Sequence, residues 1–111
     1  MDLDLTDAQR ALADQARETS SQDIAPRAAD VDREQLFPRD GLSRLAERGL
    51  LAVTVPKKWG GAGMDTIACA LVLEEVACAC ASTAAVVAVQ SLAMCEPILR
   101  FGTEAQKRAW L

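Results

Sequence analysis

Apolar and polar residues alternate at helical intervals near the start of the chain. Thr6 is followed three residues later by Gln9, which is the spacing of a capping box. An apolar stripe with charged residues between its members follows. The pattern predicts a first helix from about Asp7 toward Pro26, where the proline should kink or end it. Residues 25–35 are then predicted to form a polar, charged connection.

The middle of the chain predicts a short helix and a tight loop. Phe37-Pro38 should open the helix, because proline is tolerated in a first turn, and Gly49 should close it. Residues 50–55 favour an extended segment or one short strand that ends at Pro56. The glycines of Trp59-Gly-Gly-Ala-Gly63 resemble a phosphate loop, but the required Gly-Lys-Ser/Thr does not follow. A tight connecting loop is therefore predicted.

The second half of the chain is the most apolar. Asp65 is placed to cap a helix that ends near residue 79, and Ser82 or Thr83 is placed to cap the next one. That next helix, residues 84–98, has apolar side chains on almost every face, which is typical of a helix surrounded by protein. Val89 is expected to be buried within it.

A second capping box, from Thr103 to Gln106, predicts a last helix. Together the signals predict an all-α fold, a small bundle of about four to five helices, in one domain over residues 1–111. So small a domain cannot cover the apolar helix on all sides. We therefore expect an exposed apolar patch and self-association.

Composition narrows the possible functions. Half of the 111 residues are hydrophobic, only 4% are aromatic, and sixteen acidic against twelve basic residues give a net charge of −4. The basic residues are scattered along the sequence without a stripe that could follow phosphates, so no nucleic-acid partner is predicted.

Two observations concern location. The first residues are acidic and lack an apolar stretch, which argues against a secretory signal and favours a cytoplasmic protein. Residues 76–95 carry no charge and are long enough to cross a bilayer. The run is rich in alanine and contains several hydroxyl and amide side chains, so no membrane span is predicted.

Few residues are candidates for chemistry. The cysteines at 69, 78, 80 and 95 lie in apolar surroundings and are predicted to be buried free thiols. The chain has no histidine to complete a common zinc site, so no metal is predicted. Glu74 and Glu75 are adjacent on a helix and diverge, which predicts solvated or ion-paired side chains. No nucleophile and base pair is evident, so no catalytic residue is predicted.

A series of segments in order along the chain resembles one family, the N-terminal helical domain of flavin-dependent acyl-CoA dehydrogenases, closest to the short-chain, butyryl-CoA type. The segments that carry the resemblance are Leu5-Thr-Asp-Ala-Gln9, Ile24-Ala-Pro-Arg-Ala-Ala29, Phe37-Pro38, Gly49-Leu-Leu-Ala-Val-Thr-Val-Pro56, Trp59-Gly-Gly-Ala-Gly63, Leu73-Glu-Glu-Val76, Cys80-Ala-Ser-Thr83 and Pro97-Ile-Leu-Arg-Phe-Gly-Thr-Glu-Ala-Gln-Lys107. Trp59 departs from the pattern, since tyrosine is common there, and Glu96 stands where a small residue is usual.

The resemblance implies an oxidoreductase of fatty acid β-oxidation. Such enzymes oxidise an acyl-CoA to a trans-2-enoyl-CoA with FAD and pass the electrons to an electron-transfer flavoprotein. In the family, a middle β-domain and a C-terminal helical domain hold the flavin and the catalytic base. Neither domain is among these 111 residues, so the chain alone is expected to be inactive, to have unknown cofactor-binding residues, and to form a homo-oligomer or associate with the missing domains.

The resemblance also implies a site. It places Ala85, Val86, Val89 and Ala93 on one wall of the acyl pocket, and their helical spacing gives them a shared face. The competing interpretation is that these are ordinary core residues. A different class of function also stays open, a non-catalytic helical interaction module or remnant that binds a related subunit.

Overall fold

Helices make up most of the computed structural model, which describes residues 3–111 and has no strand within that range. The elements are α1 (Asp7–Thr19), a π-helical segment (Ser20–Ile24), α2 (Ala25–Arg33), α3 (Arg39–Glu47), a 3-10 turn (Lys57–Trp59), α4 (Thr66–Ala79), α5 (Ala81–Ala88), a second π-helical segment (Val89–Cys95), α6 (Glu96–Phe101) and α7 (Glu104–Trp110). Because each π segment joins the α-helices on either side of it, the described residues form five continuous helices. The predicted all-α bundle is confirmed.

Local capping signals place most helix starts correctly. The Thr6 hydroxyl accepts from the Gln9 amide at 3.2 Å, and the Thr6 amide donates to Gln9 Oε1 at 2.9 Å. The same reciprocal pair forms between Thr103 and Gln106. Asp65 caps α4 as predicted, since its carboxylate accepts from the backbone N–H of Ala68 at 2.8 Å.

The predicted cap of the following helix was wrong. Helix α5 begins earlier, at Ala81, and Cys80 occupies the cap position with an extended backbone at φ −158°. No side chain caps this end, because the extended residue alone separates α4 from α5. The Thr83 hydroxyl is buried without a hydrogen-bond partner.

Pro26 was predicted to kink or end the first helix, and the second alternative was wrong, because the chain continues through a π turn into α2. The backbone N–H of Ala25 donates to Ser20 O, five residues back, which is a π-helical bond. This wider turn shifts the carbonyls that a proline ring would otherwise meet, so Pro26 fits as the second residue of α2. Residues 25–33 are therefore helical, and only the short link before α3 is irregular.

The core lies where α1 crosses α4 and α4 packs against α5. Its fully buried apolar side chains are Leu45, Leu50, Val53, Val55, Val72, Val76 and Val87. Three of these lie within residues 50–55, which were predicted to be extended or to form one short strand. The segment instead bends at residues 51 and 53–55 and forms no strand, so that prediction was wrong. The backbone of this segment bonds the glycine loop, for example from Gly63 N–H to Val55 O at 2.9 Å.

The tight glycine loop is confirmed. Gly60 has φ +91°, a conformation that favours glycine. A Cβ on Gly61 would collide with the carbonyl oxygen of Val55. The glycines therefore allow close backbone approach, which explains the cluster without a phosphate.

Candidate functional site

The long helix Ala81–Phe101 has one face on the core and one face toward solvent. The residues on the core side are Thr83, Ala84, Val87, Ser91 and Cys95. Ser91 Oγ donates to the carbonyl oxygen of Leu51 at 3.4 Å, which links the helix to the irregular segment 50–55. The π segment Val89–Cys95 lies in the middle of this helix, and π turns inside α-helices are frequent at functional sites.

The opposite face of this helix is apolar and exposed. Val89 is 56% exposed, Leu92 54% and Met94 51%. The prediction that Val89 is buried was therefore wrong, because the described chain has no element to lay over that side. The predicted exposed apolar patch is confirmed. We call Val89, Leu92 and Met94, with the small Ala85 and Ala93 beside them, the outer apolar face.

The four residues predicted to form an acyl-pocket wall lie on this helix. Ala85, Val89 and Ala93 are exposed at four-residue intervals, and Val86 is half-buried beside them. In the described chain the first three are not core residues, which leaves them free to contact another molecule or segment. Their role in an acyl pocket stays a prediction.

The same helix bears on the membrane prediction. Among residues 3–111, only Ala81–Phe101 is long and apolar enough to span a membrane. Core helices of globular proteins meet the same criterion, so length and composition do not establish a span. The uncharged run 76–95 is not one helix, because it is divided at Cys80. The absence of a membrane span stays a prediction.

All four cysteines were predicted to be buried, and two of them, Cys69 and Cys95, are buried in the core. Burial raises the pKa of Cys69 and of Cys95 above the ordinary value of 9.0. Gln90 Nε2 donates to Cys95 Sγ at 3.6 Å. Cys80 is half-buried and Cys78 is exposed, so the prediction was wrong for Cys78, which lies on the solvent side of the last turn of α4.

The candidate carboxylates are structural. Glu75 receives two bonds from Arg17, at 2.6 Å from Nη2 and 3.1 Å from Nε, which link α4 to α1. This hydrogen bond raises the pKa of Arg17. Glu74 is exposed, and Glu96 accepts from Arg100 Nε at 2.6 Å. These contacts confirm the ion-paired interpretation for Glu75.

Two hollows were tested for a flavin. One is a cavity of about 220 Å³ between α2, α3 and the start of α5, with Ile24, Gly41 and Thr83 among its lining residues. This cavity is too small for FAD. Thr83, whose buried hydroxyl has no hydrogen-bond partner, is one of the residues that line it. The other hollow, beside Trp59, is shallow and lined by four residues that offer no apolar slot for a flavin ring. Neither hollow therefore fits FAD.

The basic residues are less scattered than the sequence indicates. Lys58 Nζ lies 5.2 Å and Lys107 Nζ 6.0 Å from the centroid of the Trp59 ring. The sequence analysis did not foresee this local cluster, because α7 brings a distant Lys-Arg pair beside the 3-10 turn. The prediction of no nucleic-acid partner stays a prediction. Two basic doublets, one of them next to an aromatic, were the signal in the sequence.

Comparison with known proteins agrees with this geometry. Residues 6–111 match the family described as acyl-CoA dehydrogenase, N-terminal domain. The chain belongs to the acyl-CoA dehydrogenase family. The resemblance inferred from the sequence is thus confirmed, and the five helices described above are those of the acyl-CoA dehydrogenase N-terminal domain.

Individual relatives support the same assignment. Human mitochondrial short-chain specific acyl-CoA dehydrogenase is 38% identical over 109 residues, covering 98% of this chain and 26% of the human protein. Butyryl-CoA dehydrogenase from Megasphaera elsdenii superposes with a TM-score of 0.92 at 29% identity, covering 100% of this chain and 30% of that one. A chain in the structure of the electron transferring flavoprotein of Acidaminococcus fermentans superposes with a TM-score of 0.95 at 29% identity, covering 100% and 29%.

The acyl-CoA dehydrogenase domain described here is thus a small part of its relatives. It spans about a quarter of the human protein, at 26% of its length. The activity, substrates and partners of the longer relatives are therefore statements about those proteins.

Proposed function

We propose that this chain is the N-terminal domain of an FAD-dependent acyl-CoA dehydrogenase that oxidises acyl-CoA to trans-2-enoyl-CoA in fatty acid β-oxidation. In this proposal Ala85, Val86, Val89 and Ala93 form one wall of the acyl pocket. Further segments, corresponding to a middle β-domain and a C-terminal helical domain, supply the flavin site and the base. The chain by itself is inactive.

The observation that carries the proposal is the outer apolar face of the helix Ala81–Phe101. The exposed surfaces of α1, α2 and α3 carry several charged residues, whereas this face carries none before Glu96. Its side chains are small or aliphatic, which suits an apolar acyl group and offers no hydrogen bond to a polar one. The likeness to butyryl-CoA dehydrogenase supports the same class of substrate.

The cofactor and the partners follow from the family. FAD supplies the hydride chemistry in such enzymes. No described residue of this chain is assigned to it, because neither hollow fits it. An electron-transfer flavoprotein as electron acceptor, a homo-oligomeric assembly and a cytoplasmic location complete the proposal. The structural neighbour from Acidaminococcus fermentans supports the electron-transfer partner.

A first experiment tests whether the domain is incomplete. The purified chain is mixed with FAD, its visible spectrum is recorded, and butyryl-CoA turnover is measured with an artificial electron acceptor. We expect no bound flavin and no turnover. Bound flavin with turnover would show that these helices hold the cofactor unaided and would overturn this part of the proposal.

A second experiment tests the pocket wall. The chain replaces the equivalent domain of the Megasphaera elsdenii enzyme, and the chimera is assayed with acyl-CoA substrates of increasing length. Ala93→Phe should fill the pocket and raise KM for longer substrates more than for butyryl-CoA, because the added ring occupies the space of the acyl tail. Ala11→Phe, an exposed alanine on α1, is the matched control and should change neither value.

The competing function, a non-catalytic interaction module, predicts a different outcome. In that case Ala93→Phe and Ala11→Phe would leave the length preference of an active chimera equally unchanged. A chimera that binds flavin but never turns over substrate would also favour the interaction module.

A further inference from the structure

Most basic side chains of this chain lie next to a carboxylate. Seven arginines form ion pairs at 4.0 Å or less within the described residues. They are Arg10, Arg17, Arg27, Arg33, Arg44, Arg48 and Arg100. An eighth, Arg39, lies over the ring of Phe37. These eight arginines therefore have partners within the domain.

The remaining four basic residues gather at one place. Lys57 and Lys58 belong to the 3-10 turn that ends at Trp59, and Lys107 and Arg108 belong to α7. Lys58, Trp59 and Arg108 line one shallow hollow. None of the four cations forms an ion pair within residues 3–111. We call these four and Trp59 the basic cluster.

The indole holds part of this cluster in place. Its ring has the ammonium group of Lys58 at 5.2 Å and that of Lys107 at 6.0 Å from the centroid, distances at which a cation is attracted to an aromatic ring. Lys57 is next to Lys58 in the same 3-10 turn. The cations are therefore brought together by the fold and not by chance in the sequence.

The charge of the cluster opposes that of the whole chain. Four cations and one nearby carboxylate, Glu104, leave it strongly positive, whereas the chain carries a net charge of −4. Gathering like charges costs free energy unless an opposite charge approaches them. An anionic partner would recover that cost.

The geometry favours a protein over a nucleotide. The two ammonium groups already lie against the Trp59 ring, which a stacking base would have to displace. The hollow is shallow and spread over two elements, whereas small-molecule sites are concave and enclosed. Trp and Arg on an open surface are instead typical of the centre of a protein interface.

We infer that the basic cluster is a docking surface for an acidic segment of a partner protein. The inference goes beyond the proposed function and shares no residue with the acyl-pocket wall. Either one can therefore fail without the other.

Fluorescence anisotropy with a labelled peptide of alternating Glu and Asp tests the inference. The cluster variant combines Lys57→Gln, Lys58→Gln and Lys107→Gln. The control variant combines Arg10→Gln, Arg33→Gln and Arg44→Gln, which remove the same charge from exposed, paired positions. We expect salt-sensitive binding that is about tenfold weaker in the cluster variant and unchanged in the control.

A further variant separates the indole from the charges. Trp59→Leu keeps every cation but removes the ring that positions two of them, so binding should weaken at unchanged net charge. Equal losses in the cluster and control variants would overturn the inference, because attraction would then depend on overall charge. So would the absence of binding, or displacement of the labelled peptide by ATP at a lower concentration than by unlabelled peptide.

Discussion

Two long helical stretches, residues 7–33 and residues 81–101, share a backbone plan. Each contains a π-helical segment, and in each a proline is the second residue of the α-helix that follows, Pro26 in one and Pro97 in the other. A π turn changes the register of the backbone bonds, so the missing proline N–H does not break the helix. The two stretches therefore share the order of a π segment and a following proline, and they differ in their side chains.

Their solvent faces differ completely. Along residues 7–33 the exposed side chains include many charged ones, and several of these form ion pairs, as Arg10 does with Asp7 at 3.0 Å. Along residues 81–101 the outer side chains are aliphatic up to Glu96. The outer side of the first stretch therefore has the composition of an ordinary solvent-exposed surface. The second has the composition of an interior face that another segment or a ligand covers.

The largest expected effect separates the two faces of the second stretch. Val87→Asp should destabilise the domain by about 3–5 kcal/mol, because an unpaired carboxylate would be buried. Val89→Asp should cost less than about 1 kcal/mol, since Val89 is 56% exposed and the carboxylate stays in water. Urea unfolding midpoints measure both. Equal losses would mean that the outer apolar face is covered in solution, for instance by a second copy.

The next effect tests the shared backbone plan. Pro26→Ala and Pro97→Ala should each change stability by less than about 1 kcal/mol, because the π turns already accommodate the prolines. Thermal unfolding of both variants checks this. A large loss at one proline alone would show that the two stretches do not use the π turn in the same way.

A smaller effect on stability, with a clear effect on association, is expected for the outer apolar face. Val89→Ser, Leu92→Gln and Met94→Gln together should change stability by less than about 0.5 kcal/mol, because all three residues are exposed and the small individual changes have either sign. Self-association and binding of a hydrophobic dye should fall, as measured by sedimentation velocity and fluorescence.

The matched control for that variant lies on the first stretch. Ala11→Ser, Asp14→Asn and Glu18→Gln alter three exposed residues of α1 and should leave association and dye binding unchanged. A wild-type chain that is a monomer and binds no dye would contradict the expectation that the uncovered face drives association.

The smallest expected effect appears at alkaline pH. Burial raises the pKa of Cys69 and Cys95 above 9.0, so both thiols stay protonated in the folded state after the unfolded chain begins to ionise. Stability is then unaffected below that ordinary pKa and falls as pH rises from it through the raised folded values. Urea midpoints across this pH range measure the loss. Cys69→Ala with Cys95→Ala should remove the pH dependence, whereas Cys78→Ala should retain it.

Short-range signals predicted the helix starts well. Thr6 with Gln9, Asp65 with Ala68, and Thr103 with Gln106 each form a hydrogen bond within one turn. Such bonds depend on neighbouring residues alone, so the sequence is enough to predict them. The same holds for the glycine loop, whose turn requires residues without a Cβ.

Errors arose wherever a distant contact decided the outcome. Val89 was placed in the core because its helix is apolar all round, but burial depends on which elements lie over it. Cys78 is exposed for the same reason. The basic cluster was missed because its two doublets are fifty residues apart and meet only when α7 packs beside Trp59.

By itself the sequence determined the helical fold, most helix starts and the resemblance to the acyl-CoA dehydrogenase N-terminal domain, because these follow from local hydrogen bonds and from residue order. Only the tertiary structure decided which apolar side chains of residues 81–101 are buried, how Pro26 fits within a helix, and where four cations without an ion pair among residues 3–111 meet. Those outcomes depend on the packing of segments that are distant along the chain, and local patterns do not encode which face a neighbour will cover.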